Sequence, residues 1–271
     1  MSANMIEARN LTKIYGGGRT IFGSLAYRLE AVSRVSLTLG QGQTLALVGE
    51  SGSGKSTVAR MLVGLMRPSS GEITVAGHDV AVLRRQGPRA LGRVIQYVFQ
   101  DPIASLNPRK TVRKTLHAPL KLLKGYDAST RHARIVELLE AVKMPFDTLD
   151  RYPHELSGGQ AQRIAIARAL AADAKILILD EPVSALDVSV QAQVLLLLQD
   201  LKAKYNLSYL FISHDLAIVE AVSDQVAVMR RGHIVENGPT NVIFSQPRSS
   251  YTRGLIESAP RLRSRVTGDF E

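Results

Sequence analysis

The chain has 271 residues, enough to bury a full core as one or two domains. It contains no cysteine, which excludes disulfides, a cysteine nucleophile, cysteine-ligated zinc and iron–sulfur clusters. A formal charge of +10 admits a nucleic-acid face, an anionic membrane leaflet, or a solvated surface with some phosphate handling.

The basic clusters are Arg84/Arg85/Arg89/Arg93, Arg109/Lys110/Arg113/Lys114 and Arg261/Arg263/Arg265. No aromatic residues interleave them, which argues against nucleic acid. The densest apolar run, Val194 to Leu198, is flanked by Gln193 and Gln199 and falls far short of the roughly 18 residues of a membrane span. Met1 to Asn10 lacks a basic-then-apolar leader pattern. A cytoplasmic or membrane-peripheral protein is expected.

Met5 to Arg9 and Val35 to Leu39 alternate apolar and polar residues, as antiparallel strands with one wet face do. Between them Gly16-Gly17-Gly18 and the stretch to Glu30 read as a turn and an inserted loop. Tyr15 stands just before it; its rival role is a half-buried strand aromatic, which spacing alone does not exclude.

The next strand, Thr44 to Val48, runs into Gly49-Glu50-Ser51-Gly52-Ser53-Gly54-Lys55-Ser56-Thr57 and then a helical pattern, Val58 to Leu65. Strand, glycine-rich turn, Lys-Ser and helix is the arrangement that cradles nucleotide phosphates. Glycines let backbone N–H groups turn inward around an anion, and the helix start adds unpaired donors and a positive dipole end. Lys55 reaches the β- and γ-phosphates, and the Ser56 hydroxyl is a ligand for Mg²⁺. A plain flexible turn explains the glycines but not Lys-Ser in that place.

Arg67 to Gly71 is a turn, and Glu72 to Val75 with Gly77-His78-Asp79 a short hairpin arm. Val94 to Phe99 is a strand ending at Gln100. Beyond the breaks at Asp101-Pro102 and Asn107-Pro108, the periodicity is helical from Thr111 to Ala172, through Ile135, Leu138, Leu139 and Val142. Strands return at Ile176 to Leu179, Ser208 to Ile212, Gln225 to Met229 and, past Gly232, His233 to Glu236. Helices at Val188 to Lys204 and Leu216 to Ser223 separate them. The Pro-, Ser- and Arg-rich tail from Ser245 suggests loose packing.

Strand–helix alternation implies an α/β fold with a mainly parallel sheet. An antiparallel β subdomain and an inserted helical subdomain complete it. Residues 1–100 and 173–244 form the core, 101–172 the helical block and 245–271 the tail. Ligands bind at the carboxyl ends of such strands. Four ends are polar there: Gly49 to Thr57, Gln100, Asp180-Glu181 and Ser213-His214.

Asp180 closes an apolar strand, where a carboxylate is costly unless paired or coordinated. With Ser56 it forms the protein side of a Mg²⁺ shell. Glu181, one residue on, is placed as the general base for water, a role worth roughly 10²–10⁴-fold. The rival reading makes this pair a helix N-cap before Pro182. His214, placed to contact a γ-phosphate and fix the attacking water, has a rival role as cap of the next helix. Gln100 reads on position alone either as a Mg²⁺ or water ligand or as a turn residue.

Leu156-Ser157-Gly158-Gly159-Gln160 lies inside the helical block, before the helix Ala161 to Ala172. Its N–H groups and hydroxyl make a second anion site on a different subdomain. The simplest resolution is a dimer in which this site meets the partner's nucleotide.

In combination these motifs resemble the ATP-binding cassette (ABC) family over nearly the whole chain. Gly49 to Thr57 is similar to its Walker A motif and Ile176 to Glu181 to its Walker B. Gln100 resembles the Q-loop, Leu156 to Gln160 the signature, Ser184-Ala185-Leu186-Asp187 the D-loop and His214 the switch histidine. Tyr15 falls where the family stacks adenine. Phe99 to Arg109 and Glu181 to Gln193 resemble the dipeptide and oligopeptide importer group, which also serves nickel and opine-type importers. Pro247 to Arg253 matches that group's His-Pro-Tyr-Thr segment only in part, and the cysteine-rich extension of many members is missing.

The resemblance implies an ATP- and Mg²⁺-dependent ATPase subunit of an importer. Two cassettes, identical or paralogous, close head-to-tail on two ATP molecules, each between Lys55 of one chain and Ser157 of the other. Multi-spanning permease subunits dock near Gln100 to Asn107, a periplasmic or lipid-anchored solute-binding protein acts indirectly, and nucleic acid is no partner. The alternative it leaves is a soluble cassette in a non-transport complex, such as those of carbon–phosphorus bond cleavage.

Overall fold

The computed structural model of the chain describes residues 4–16 and 28–258. Two long strands open it, β1 (Asn4–Gly16) and β2 (Arg28–Gly40). They pair antiparallel from Asn4↔Gly40 to Gly16↔Arg28, so Gly16 and residues 28–30 are strand where the sequence suggested loop. Ladder bonds to β1 outweigh the local turn signal there. Residues 17–27 of that expected loop, and the cluster Arg261/Arg263/Arg265, lie outside the described residues.

The chain continues through β3 (Thr44–Val48), α1 (Lys55–Leu62), β4 (Ser70–Val75) and β5 (His78–Asp79). Two short helices follow that the sequence reading passed over, α2 (Val80–Arg85) and α3 (Pro88–Gly92). Asp79 caps the first by accepting the Ala81 N–H at 2.6 Å. Then come β6 (Ile95–Val98) and the helical block α4 (Pro102–Ser105), α5 (Val112–Leu122), α6 (Ala128–Ala141) and α7 (Gly158–Leu170). The last stretch is β7 (Ile176–Asp180), α8 (Val188–Tyr205), β8 (Ser208–Ile212), α9 (Leu216–Val222), β9 (Gln225–Arg230), β10 (His233–Pro239), α10 (Thr240–Ser245) and α11 (Ser250–Ser258).

The strands form two sheets. A four-stranded antiparallel arm has the order β2-β1-β4-β5, and a six-stranded sheet the order β10-β9-β3-β8-β7-β6. The second is parallel except where β10 runs against β9. The fold is therefore α/β, with a mainly parallel phosphate-loop core, an antiparallel β arm and inserted helices. No helix among the described residues is long and apolar enough to cross a membrane.

Every residue of β3, β7 and β8 is buried, which explains their unbroken apolar runs: a parallel sheet is covered on both faces. On one face, α1 and the β arm pack through Leu47, Val58, Leu62 and Ile178. On the other, Leu116, Leu138 and Ile164 of the helical block share one apolar cluster with Leu177, Phe211 and Leu197 of α8. That shared cluster sets the start of α7 beside α8.

The tail departs from expectation. Tyr251, Leu255 and Ile256 of α11 pack against a third cluster containing Val48, Val226 and Val228. Spacing of i, i+4 and i+5 makes a short apolar stripe within a polar composition, and Thr252 is buried. Residues 245–258 are packed, not loose.

Candidate active site

The register of β3, β8, β7 and β6 brings their carboxyl ends to one edge. An open cleft of about 710 Å³ lies there, lined by Tyr15, Leu29, Ala31, the Ser51–Thr57 turn except Ser53, Gln100, Glu181 and His214.

Gly49 adopts φ 145°, and a Cβ on it would meet Met229 O at 2.0 Å, so only glycine lets the loop leave β3 here. Gly54 is the N-cap of α1 at φ 110° with no side-chain cap, and the first turn carries no acidic residue. The helix start therefore keeps its N–H donors for an anion. Lys55 is 6% exposed and donates through Nζ to Gly49 O at 2.7 Å and Glu50 O at 2.8 Å. Burial pushes its ammonium pKa down, opposed by the carboxylates of Glu181, Asp180 and Glu50. A buried cation held only by carbonyls fits a phosphate. The Ser53 hydroxyl is buried without a partner.

Ser56 Oγ donates to Asp180 Oδ1 at 3.3 Å, so the two expected Mg²⁺ ligands are together. No cluster of three or more metal-binding side chains exists among the described residues. One carboxylate and one hydroxyl suit Mg²⁺, which takes few protein ligands and completes its shell with water and substrate phosphates. Tyr97 donates to the other Asp180 oxygen. Burial, then the Asp180 charge, raise the Tyr97 pKa well above the ordinary phenol range, so it remains a donor.

Gln100 Nε2 donates to Glu181 Oε2 at 2.8 Å, and His214 Nδ1 lies 3.3 Å from Glu181 Oε1. Glu181 has φ 47°, uncommon for a side-chain-bearing residue, and its N–H is tied to Ile212 O at 2.9 Å. The two capping readings fail here. No helix follows Asp180-Glu181 until Val188, and α9 is capped by Asp215, which accepts the Ala217 N–H at 2.9 Å. His214 is thereby left facing Glu181.

Tyr15 lines the cleft with its hydroxyl on Met66 Sδ at 3.0 Å and Lys13 Nζ 5.4 Å from the ring centre. The segment Leu156 to Gln160 does not line it, nor does Asp187. Ser157 caps α7 instead: its Oγ accepts the Gln160 N–H at 3.3 Å while Gln160 Oε1 accepts the Ser157 N–H at 3.0 Å. Asp187 caps α8, accepting the Val190 N–H at 3.0 Å, and the Ser189 hydroxyl and that N–H hold its pKa low.

Sequence reasoning missed Tyr97, Leu29 and Ala31. The signal for Tyr97 was its place in β6 one strand from β7, where its register partner is Ile178, two residues before Asp180. Leu29 was hidden because the stretch before β2 reads as loop as far as Glu30, and Ala31 because the strand is expected only from Val35.

The fold and this edge define an α/β phosphate-loop protein. The family description "ABC transporter" matches residues 32–184. A putative peptide import ATP-binding protein of Brucella abortus is 50% identical over 248 residues, 91% of this chain and 72% of that protein. The dipeptide transport ATP-binding protein DppF of Haemophilus influenzae is 43% identical, over 98% of this chain and 83% of its own. The solved ATP-binding cassette MJ0796, in a dimeric post-hydrolysis state bound to ADP and Pi, matches with a TM-score of 0.76 at 26% identity. That match spans 87% of this chain and 99% of the other. The chain belongs to the ABC transporter family and is an ATP-binding ATPase cassette.

Proposed function

We propose that the chain is the ATP-hydrolysing subunit of an importer for di- or oligopeptides or a related small solute, peripheral to the inner face of the cell membrane. The observation that carries the ATPase half is the meeting of Lys55, the Ser56–Asp180 pair and the Gln100–Glu181–His214 chain at one sheet edge. The names of the peptide and dipeptide import relatives support the transport half.

In this reading the Tyr15 ring stacks the adenine, and residues 49–57 wrap the phosphates. Lys55 Nζ leaves its two carbonyls for β- and γ-phosphate oxygens. Ser56 and Asp180, with Gln100 at the adjoining strand end, would hold Mg²⁺, which would supply positive charge to the phosphates. Glu181 takes the proton of the attacking water. Gln100 and His214 steady its two oxygens, and His214, which lines the same cleft as the phosphate loop, contacts the γ-phosphate.

Leu156 to Gln160 and Asp187 serve the nucleotide of a second cassette, since they do not line the cleft of their own chain. The block 101–172 is the subdomain that carries Leu156 to Gln160, and Asp187 belongs to the core. Closure of the pair moves multi-spanning membrane subunits, fed by a solute-binding protein. Affinity purification of the full chain from its own cells, in mild detergent, tests this. Multi-spanning subunits should co-purify; a stable complex lacking any membrane-spanning subunit would contradict the transport reading.

A further inference from the structure

One contact at the phosphate loop is left unused by the chemistry above. Tyr251 Oη, on α11, accepts the N–H of Glu50 at 3.3 Å, from a position 201 residues away in the chain. That N–H belongs to the same peptide unit as Gly49 O, which accepts Lys55 Nζ at 2.7 Å. A single peptide plane is therefore gripped at both ends. It needs the grip, because Gly49 sits at φ 145° and offers no side chain to pack.

The grip is itself anchored. The Arg230 guanidinium lies 4.6 Å from the Tyr251 ring centre, a cation–π distance. The Glu236 carboxylate accepts the N–H groups of Arg248 and Ser249 at 2.8 and 3.0 Å, fixing the turn into α11. Leu255 and Ile256 pack onto the cluster that contains Val48, the last residue of β3.

When Lys55 turns from Gly49 O and Glu50 O to a phosphate, the carbonyl side of this peptide is released. The Tyr251 hydroxyl is then the side-chain contact that remains on it. We propose that Tyr251 is a positioning residue, through which α11 braces the phosphate loop in its nucleotide-binding shape. Pre-ordering the loop lowers the entropic cost of binding. The inference rests on the phosphate-loop reading above. Because the loop cradles the phosphates that ATP and ADP share, the effect falls on both nucleotides equally.

The test is Tyr251→Phe in the full chain, which keeps the ring and its Arg230 contact while removing the hydroxyl. Affinity for MgATP and for MgADP should each fall about threefold to tenfold, the range of one net hydrogen bond. KM for ATP should rise with kcat at saturation unchanged, and the nucleotide-free Tm should fall by no more than about 2–4 °C, the worth of one hydrogen bond in a chain of this size. Wild-type affinity would overturn the brace. So would an affinity loss accompanied by a larger fall in nucleotide-free Tm, since that reports general unfolding. Lys55→Ala, measured alongside, separates the two levels: if it is defective while Tyr251→Phe is normal, only the brace fails. Wild-type binding by Lys55→Ala would remove the phosphate-loop reading, and the brace with it.

Discussion

Two glycine-rich turns lead into helices in this molecule, and they are built in opposite ways. Before α1, the cap is Gly54 in the left-handed region, with no side chain on the helix donors and a buried lysine one residue on. Before α7, Ser157 and Gln160 bond to each other's N–H groups in a closed capping box. The first turn leaves the N–H donors of its helix start without a side-chain cap beside a buried positive charge and can hold an anion within its own chain. The second spends two donors on its own rigidity. A Cβ on Gly159 would come within 2.5 Å of Val190 on α8, so this start is also packed tightly on the segment that Asp187 caps. One turn is a cradle; the other is a stiff wall with the Ser157 hydroxyl proton free to donate outward.

That contrast can be broken at several points. The largest effect is expected at the edge served by the cradle. Glu181→Gln should cut hydrolysis about 10²–10⁴-fold while nucleotide affinity stays at the wild-type level. Steady-state turnover and a binding titration on the same preparation check it, and wild-type turnover would remove the base assignment. Next, Lys55→Ala should weaken MgATP binding about tenfold to a hundredfold, the worth of hydrogen bonds from a charged donor. The smallest effect belongs to the wall. Ser157→Ala opens the capping box and should lower stability by about 1 kcal/mol, read as a reduced urea midpoint at unchanged slope. An unaltered midpoint would mean that the box does not hold α7.

Much of this was legible because the chemistry sits where strand periodicity ends. Buried runs such as Thr44 to Val48 and Ile176 to Leu179 announce parallel strands, and the rule that ligands gather at carboxyl ends then collects Lys55, Gln100, Glu181 and His214. Contacts set by register were less legible. Tyr97 reaches Asp180 across neighbouring strands, and nothing in the six residues around it distinguishes a ligand-bracing phenol from a core aromatic. The short helices α2 and α3 carry too few turns for a periodic signal. In the tail, Tyr251, Leu255 and Ile256 are too few to outweigh Pro, Ser and Arg in composition, yet they dock α11 against the sheet. Composition averages over a segment, whereas packing needs only one face of it.

The division of labour between the two turns is most directly tested by Ser157→Arg in the full chain, with MgATP affinity of the isolated chain and ATP hydrolysis measured together. Affinity at the wild-type level with hydrolysis abolished is the expected result, because the cradle binds alone and the wall acts on the nucleotide of another cassette. Wild-type hydrolysis, or affinity lost in the isolated chain, would contradict it.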